Sequence, residues 1–215
     1  MRLNVHPTPG TVKYHGVPPL APPPALSDHR RRLLDAMSEV VARKGYADTT
    51  IADLAAEARV SRRTFYENFA SKAECLIALY EAASAQALRV LRDAIDASRD
   101  WHAQVEQAMH AYLSTLACNP QLLRTLFIEI LGLGPDGLAA RRRVNDHLAG
   151  FILEVVNGPS AHPPRAQPLP VAQALGIVGA IHELVLEAIE QDRAAQLPEL
   201  TTTASRLARS VIDGG

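Results

Sequence analysis

One short segment, residues 49–73 (TTIADLAAEARVSRRTFYENFASKA), constrains this chain more than any other. Thr50 precedes Ile51, Leu54, Ala55 and Ala58, which recur at helical spacing. Asp53 follows Thr50 by three positions, a capping-box pattern with Asp in place of Glu or Gln. This helix ends near Ala58–Arg59, and Ser61 is a natural cap for the next one. In that second helix Phe65 and Phe69 share a face that should pack inward. Arg63, Thr64 and Glu67 fall mostly on the opposite face, with Arg62, Tyr66 and Asn68 on its flanks. Ala70–Ser71 breaks the helix, and Ser71 with Glu74 forms a full S-x-x-E capping box that opens a third, long helix. Helix, tight turn, helix is the geometry that lays a second helix into the major groove of DNA, N-terminal residues first.

The same residues carry a family resemblance. Thr50-Ile51-Ala52-Asp53-Leu54-Ala55, Val60-Ser61, Thr64-Phe65-Tyr66, Phe69 and Lys72 resemble the N-terminal signature of the tetracycline-repressor (TetR) family of transcription regulators, over roughly residues 31–79. Arg59 stands where that family often has Gly in the inter-helix turn. It therefore implies mild strain or a slightly different turn, and it adds a positive charge near the DNA side. With this support Arg62 and Arg63 are expected to contact base edges, bidentate to guanine, although Arg63 replaces a commonly small residue. Thr64 is expected at a thymine methyl or a phosphate. Tyr66, Asn68 and Lys72 are expected at phosphates, with the helix N-terminus at Lys72 adding its dipole, and Thr50 likewise. Glu67 would repel phosphate and so read a cytosine amine or exclude wrong sites.

The charge balance is compatible once divided. The chain's net charge is −1, but residues 27–72 carry nine Lys/Arg against seven Asp/Glu, while residues 73–215 carry eleven against sixteen. DNA affinity requires local positive charge facing phosphates and does not require a basic total. With 47% apolar and only 5% aromatic residues, and no alternating β-branched run, an all-α fold of helices packed on helices is expected. At 215 residues the chain is one ordinary domain or two small ones. The longest apolar stretch, Leu175 to Ile181, is cut by His182-Glu183 and is too short for a bilayer. No charged-then-apolar leader pattern opens the chain. A cytoplasmic setting without membrane contact is expected, with Cys75 and Cys118 as free core thiols.

Along the chain, residues 1–26 hold seven of the fifteen prolines and read as a disordered or polyproline-like arm. Ser27 caps a helix stopped by Gly45, with Leu33, Leu34, Met37, Val40 and Val41 as its apolar stripe. Arg30, Arg31 and Arg32 at its start are either DNA-backbone contacts or a solvated face. Residues 27–72 would form the DNA-binding head and residues 73–215 an effector-binding and dimerisation body. Body helices are expected over 71–98, 101–118, 121–133, 136–156, 171–193 and 199–212, giving about nine helices in all, with a proline-rich loop over 157–170.

The body suggests two surfaces. Val178, Ile181, His182, Val185 and Ile189, with Gly176, Gly179 and Ala180 allowing close approach, mark helix 171–193 as a homodimer face or else as internal core. Residues 179–185 (GAIHELV) are also similar to a run in the family's C-terminal domains. The resemblance implies an apolar pocket for an unknown small-molecule effector. Met109, Tyr112, Leu113, Phe127, Leu131 and Phe151 are its candidate lining, with Leu116, Leu123, Ile130, Leu148 and Ile152 beside them, although an apolar stripe is ordinarily packing. His102, Glu106 and His110 share a helix face but spread over about 12 Å along it, too far to hold one ion, so no metal site and no cofactor are expected. No phosphate-cradling Gly-rich loop, G-x-S-x-G, H-E-x-x-H or C-x-x-C occurs, so no enzyme activity is expected. The reading is a ligand-responsive, homodimeric DNA-binding repressor with a two-fold operator. The alternative is a helical small-molecule-binding protein or enzyme whose head is only structural.

Overall fold

The computed structural model describes residues 27–96, 98–158 and 167–214. The expected proline-rich arm over 1–26 and most of the 157–170 loop lie outside these residues. Among the described residues there are nine α-helices and no strand. They are α1 Asp28–Asp48, α2 Ile51–Glu57, α3 Arg62–Asn68, α4 Lys72–Asp93, α5 Trp101–Ala117, α6 Pro120–Ile128, α7 Pro135–Asn157, α8 Val171–Glu190 and α9 Thr201–Asp213. Two 3-10 segments, Glu129–Leu133 and Ala194–Leu200, precede α7 and α9.

The helix starts follow their caps. The Ser27, Thr50, Ser61, Ser71, Asp100 and Asn119 side chains each accept a backbone N–H from the first turn. At α2 the capping box is complete: Thr50 Oγ1 accepts from the Asp53 amide at 3.2 Å, and Asp53 accepts from the Thr50 amide at 2.8 Å. The Lys44 ammonium, and then the Thr50 hydroxyl and amide, hold the Asp53 carboxyl well below its usual range.

Several ends differ from expectation, each for a local reason. α4 stops at Asp93 because Asp96 accepts from both the amide and the hydroxyl of Ser98, an Asx-type turn that competes with the helix. α8 stops at Glu190 in a Schellman motif with Asp192 left-handed, its Arg193 and Asp192 amides bonding the Ala188 and Ile189 carbonyls. The helix expected over 121–133 tightens to 3-10 after Ile128. Gly137 at the start of α7 lies against the Ile130 carbonyl, where a Cβ would meet that oxygen at 1.8 Å. α9 begins after Pro198, which lies inside the preceding 3-10 segment.

The turn between α2 and α3 is also a Schellman motif. The Val60 amide bonds the Ala55 carbonyl at 2.9 Å and the Arg59 amide bonds Ala56 at 3.1 Å. It requires a left-handed residue, and Arg59 supplies it at φ 54°, so of the two expectations for this position strain is the one realised.

α1, α2, α3 and the first turns of α4 enclose one core of Leu33, Met37, Val40, Leu54, Phe65, Phe69, Cys75 and Leu76, all essentially inaccessible. Burial of each large side chain contributes about 1.5–3 kcal/mol. Two cations close the open helix ends around this core. Arg30 donates to the Asn68 carbonyl at 2.7 Å and lies 4.2 Å from the centroid of the Phe69 ring, so it clamps the end of α3. Lys72 Nζ donates to the Tyr46 and Thr49 carbonyls, both at 2.7 Å, and lies 4.2 Å above the Tyr46 ring. It thereby caps the end of α1, where Gly45 takes φ 79° and kinks the helix.

In the body α7 packs along α8, and α5 packs against α4, α9 and the 3-10 segment before α9. The apolar core is continuous from Leu33 in the head to Ile212. By length and composition α8 could cross a membrane. Its hydropathy is accounted for by Ala174, Ile177, Val178, Ile181, Val185, Ala188 and Ile189, all buried within the chain. Cys75 is a free thiol in the head core, whereas Cys118 is free but exposed at the end of α5, so only the first is a core thiol as expected.

Two stability effects follow. Arg59→Gly relieves a left-handed cost of about 1–2 kcal/mol against about 0.5–1 kcal/mol of added unfolded-chain entropy. It should therefore raise denaturation stability by about 0.5–1 kcal/mol; a loss of stability would contradict the strained turn. Lys72→Met should lower stability by about 1–2 kcal/mol by uncapping α1, readable by urea unfolding without any nucleic acid present.

Candidate nucleic-acid interface and effector cavity

The short helix α3 presents its first turn outward. Its capping residue Ser61 accepts from the Thr64 amide at 3.0 Å and lies 2.9 Å from the Thr64 hydroxyl. Arg62 and Arg63 follow on the exposed surface, and the Arg63 side chain is 89% exposed. Arg62 makes no hydrogen bond or ion pair among the described residues. Arg63 Nε donates to Glu67 Oε1 at 3.1 Å, one turn along the same helix, so Glu67 tethers this arginine. At such exposure that pair is weak and readily exchanged for a stronger acceptor. Tyr66 is 58% exposed, its ring edge-on to Phe65 at 5.7 Å. With Arg59 beside them these groups form one outward surface of cations and a phenol, anchored from behind by Phe65 and Phe69.

Three residues expected at DNA are engaged within the head. Lys72, expected at a phosphate, caps the end of α1: its ammonium is held by carbonyls, and burial pulls its pKa below the usual lysine value. Asn68 donates to the Thr64 carbonyl at 2.8 Å and accepts from Ser27 Oγ at 3.3 Å, tying α3 to the start of α1. Thr50 remains exposed, with its hydroxyl donating to Asp53 at 2.6 Å. Among the arginines of α1, Arg30 is the clamp on α3 and Arg31 pairs with Asp28 at 3.3 Å.

The body holds two adjoining cavities. The first, about 720 Å³ including its open mouth, lies among the end of α4, α5, α7, α8 and α9. Met109, Tyr112 and Phe151 line it, together with Trp101, Leu148, Ile152, Ile177, Ala208 and Ile212. The second, about 570 Å³, lies among α4, α5, α6 and α7, and Phe127 lines it with Tyr80, Ala83, Ala87, Leu126 and Arg141. Tyr112, Leu148 and His182 belong to both and form the wall between them. Leu113 and Leu131 line neither; Leu113 is core at 1% exposure and Leu131 packs against that core.

The residues expected at a dimer face, or else in the internal core, lie on the buried side of α8. Val178, Ile181, His182, Val185 and Ile189 all point into their own subunit, and Val178, Ile181 and His182 border the first cavity. The outer side of α8 carries Ala172, Gly176, Gly179 and Glu183 instead, and a Cβ built at either glycine meets only open space. The apolar arc of α8 is wide, and the half nearest α7 took the interior.

His182 is the polar centre of the cavity region. Its Nε2 lies 3.4 Å from the Tyr112 hydroxyl, and its ring stands edge-on to Phe127 at 5.3 Å. Burial, and then the Arg141 charge, lower its pKa from 6.5 to about 4, so it is neutral at pH 7. Burial likewise pushes Tyr112 well above the usual tyrosine value and Tyr80 up to about 12. His102 and His110 face different partners, Asp213 at 3.6 Å and Thr201 at 3.3 Å. Arg141 and Tyr80 were not expected at a cavity. Arg141 is one of three consecutive arginines, and nothing in the sequence separates it from Arg142 and Arg143.

Because the unfolded chain binds a proton at His182 more readily than the folded chain, this residue contributes stability that is full above about pH 6.5. The contribution falls as the pH drops toward 4. Its full extent is on the order of 3 kcal/mol. Urea unfolding of wild type and His182→Leu should diverge in pH slope over that window; parallel slopes would contradict a buried neutral imidazole.

Residues 33–79 match the family model for bacterial regulatory proteins, tetR family. The fatty acid metabolism regulator protein of Bacillus subtilis (strain 168) is 25% identical over 127 residues, 59% of this chain. The chain spans only 63% of the length of that curated relative. The fold is shared with a transcriptional regulator FadR from Bacillus subtilis in complex with stearoyl-CoA, at TM-score 0.68 and 20% identity over 86% of this chain and 98% of that one. It is shared equally with the fatty acid degradation regulator FadR from Bacillus halodurans, at TM-score 0.68 and 19% identity over 83% and 93%. The match lies in the head, built around a capped and outward-facing α3, and the helical body beneath it shares the fold of these regulators.

Proposed function

We propose that the chain is a cytoplasmic, ligand-responsive transcriptional repressor. It binds a two-fold symmetric operator as a homodimer and is released by a small molecule with a long apolar chain. One observation carries the reading: α4 belongs to both functional regions. Cys75 and Leu76 lie in the head core, Tyr80, Ala83, Ser84 and Ala87 wall the second cavity, and Leu91 walls the first. A ligand that moves α4 therefore moves α3. The head is residues 27–72 and the body 73–215, joined by this helix.

In the DNA-bound form Arg62 and Arg63 meet base edges in the major groove, Arg63 leaving Glu67 to do so, while Thr50, Thr64 and Tyr66 approach the backbone. Two heads must stand about one helical turn of DNA apart, which requires a second copy. The outer stripe of α8, with Gly176 and Gly179, and the outer side of α9 serve as the isologous contact, a four-helix arrangement across the two-fold axis. The effector class follows from the apolar lining of the first cavity and from the relatives: a regulator of fatty acid metabolism, and a similar fold holding stearoyl-CoA. The ligand shifts operator affinity by its preference for one head spacing over the other, a coupling of about 1–3 kcal/mol.

Selection of duplexes from random DNA by the purified protein should yield a palindromic site. On that site Arg62→Ala should cost about 1–3 kcal/mol and relax base preference at one position per half-site. A saturating long-chain acyl-CoA should weaken wild-type binding. Full retention of affinity with ligand bound would remove the switch, and absence of salt-dependent duplex binding would remove the DNA reader.

A further inference from the structure

We infer that Arg141 anchors the acidic head of the effector in the second cavity, and that the tail passes Tyr112 and His182 into the first cavity toward Trp101. The inference rests on the effector reading above. Four observations carry it.

Arg141 borders the second cavity, half-buried, and makes no hydrogen bond or ion pair among the described residues. Its neighbour on α7, Arg143, is paired with Glu81 at 2.7 Å, and Arg92 on α4 with Glu154 at 2.8 Å, so the carboxylates at hand are engaged elsewhere. No Asp or Glu lines either cavity. A half-buried guanidinium facing an otherwise largely apolar space favours an anion brought by the ligand, and its planar fork suits a carboxylate or a phosphate.

The wall between the cavities is formed by side chains that line both of them. It is made by Tyr112, Leu148 and His182, and its one polar link is the long 3.4 Å contact between tyrosine and histidine. Beyond it the first cavity offers only apolar surface apart from Tyr112, His182 and Trp101. A head that needs a charge partner has one only on the Arg141 side, and a hydrocarbon tail fits only beyond the wall. The two chambers thus impose a direction on the ligand, and chains too short to part Tyr112 from His182 occupy the second chamber alone.

Trp101 is the sole tryptophan of the chain and lies in the first cavity, so its fluorescence reports the tail position directly. With wild-type protein, a hexadecanoate brominated at its methyl end should quench Trp101, and one brominated beside the carboxylate should not. Arg141→Met should weaken hexadecanoate and hexadecanoyl-CoA by about tenfold or more while leaving hexadecanol within about twofold. Arg141→Lys should restore part of the loss. Weakening of hexadecanoate alone marks a carboxylate anchor, weakening of the CoA thioester alone marks its phosphates, and weakening of both marks an anchor that takes either anion; each supports the assignment. Equal effects on all three ligands, or quenching from the carboxylate end, would overturn the inference while leaving the effector reading standing. Failure of every one of these ligands to bind wild type would overturn both.

Discussion

α4 has to satisfy two cores with one sequence. Its first turns complete the packing of Phe65 and Phe69 against Leu33 and Met37, and its later turns face the cavities of the body. A straight, well-capped helix is therefore required, and the Ser71–Glu74 box provides its start: the Ser71 hydroxyl accepts the Glu74 amide, and Glu74 accepts the Ala70 amide at 2.6 Å. Because packed interfaces switch between discrete arrangements instead of deforming smoothly, displacement at one end of such a helix is carried to the other.

The cations of the head divide by distance from its core. Arg30 and Lys72 lie close enough to stack on Phe69 and Tyr46, and each takes up the carbonyls of a helix end. Arg59, Arg62 and Arg63 stand one turn further out and keep their guanidinium groups in water. A basic count cannot distinguish these sets. The inner set ties the ends of α3 and α1 to the head core, which allows the outer set to be presented in a fixed geometry.

Much of the head was legible from sequence because its signals are local. Capping pairs three apart, Phe65 and Phe69 four apart, and a break at Ala70–Ser71 mark the helix boundaries within a few residues of sequence. The capping role of Lys72 was not legible because its partners, Tyr46 and Thr49, lie more than twenty residues away and are backbone oxygens, which leave no trace in composition. The buried side of α8 was not legible for a related reason. A helix apolar around most of its circumference does not reveal which side meets its own subunit, and Val178, Ile181 and Val185 turned inward. Periodicity marked Met109, Tyr112, Phe127 and Phe151 only as an apolar stripe and could not separate cavity wall from core, and Arg141 gave no signal, since a charged residue at a cavity edge looks like any solvated one until the fold encloses it.

The tight approach of Gly137 to the Ile130 carbonyl has a further bearing on how such a protein can diverge. Ile130 lines the second cavity, and the start of α7 is pressed so closely on its backbone that no side chain is admissible at position 137. That edge of the chamber is fixed by main chain, not by exchangeable side chains. Any change in the size of this chamber must come from the opposite walls, on α4, α5 and α8, and with the first of these it alters the seat of α3 as well. Under the proposed function, ligand preference and operator geometry are then inherited together, since neither drifts far without disturbing the other.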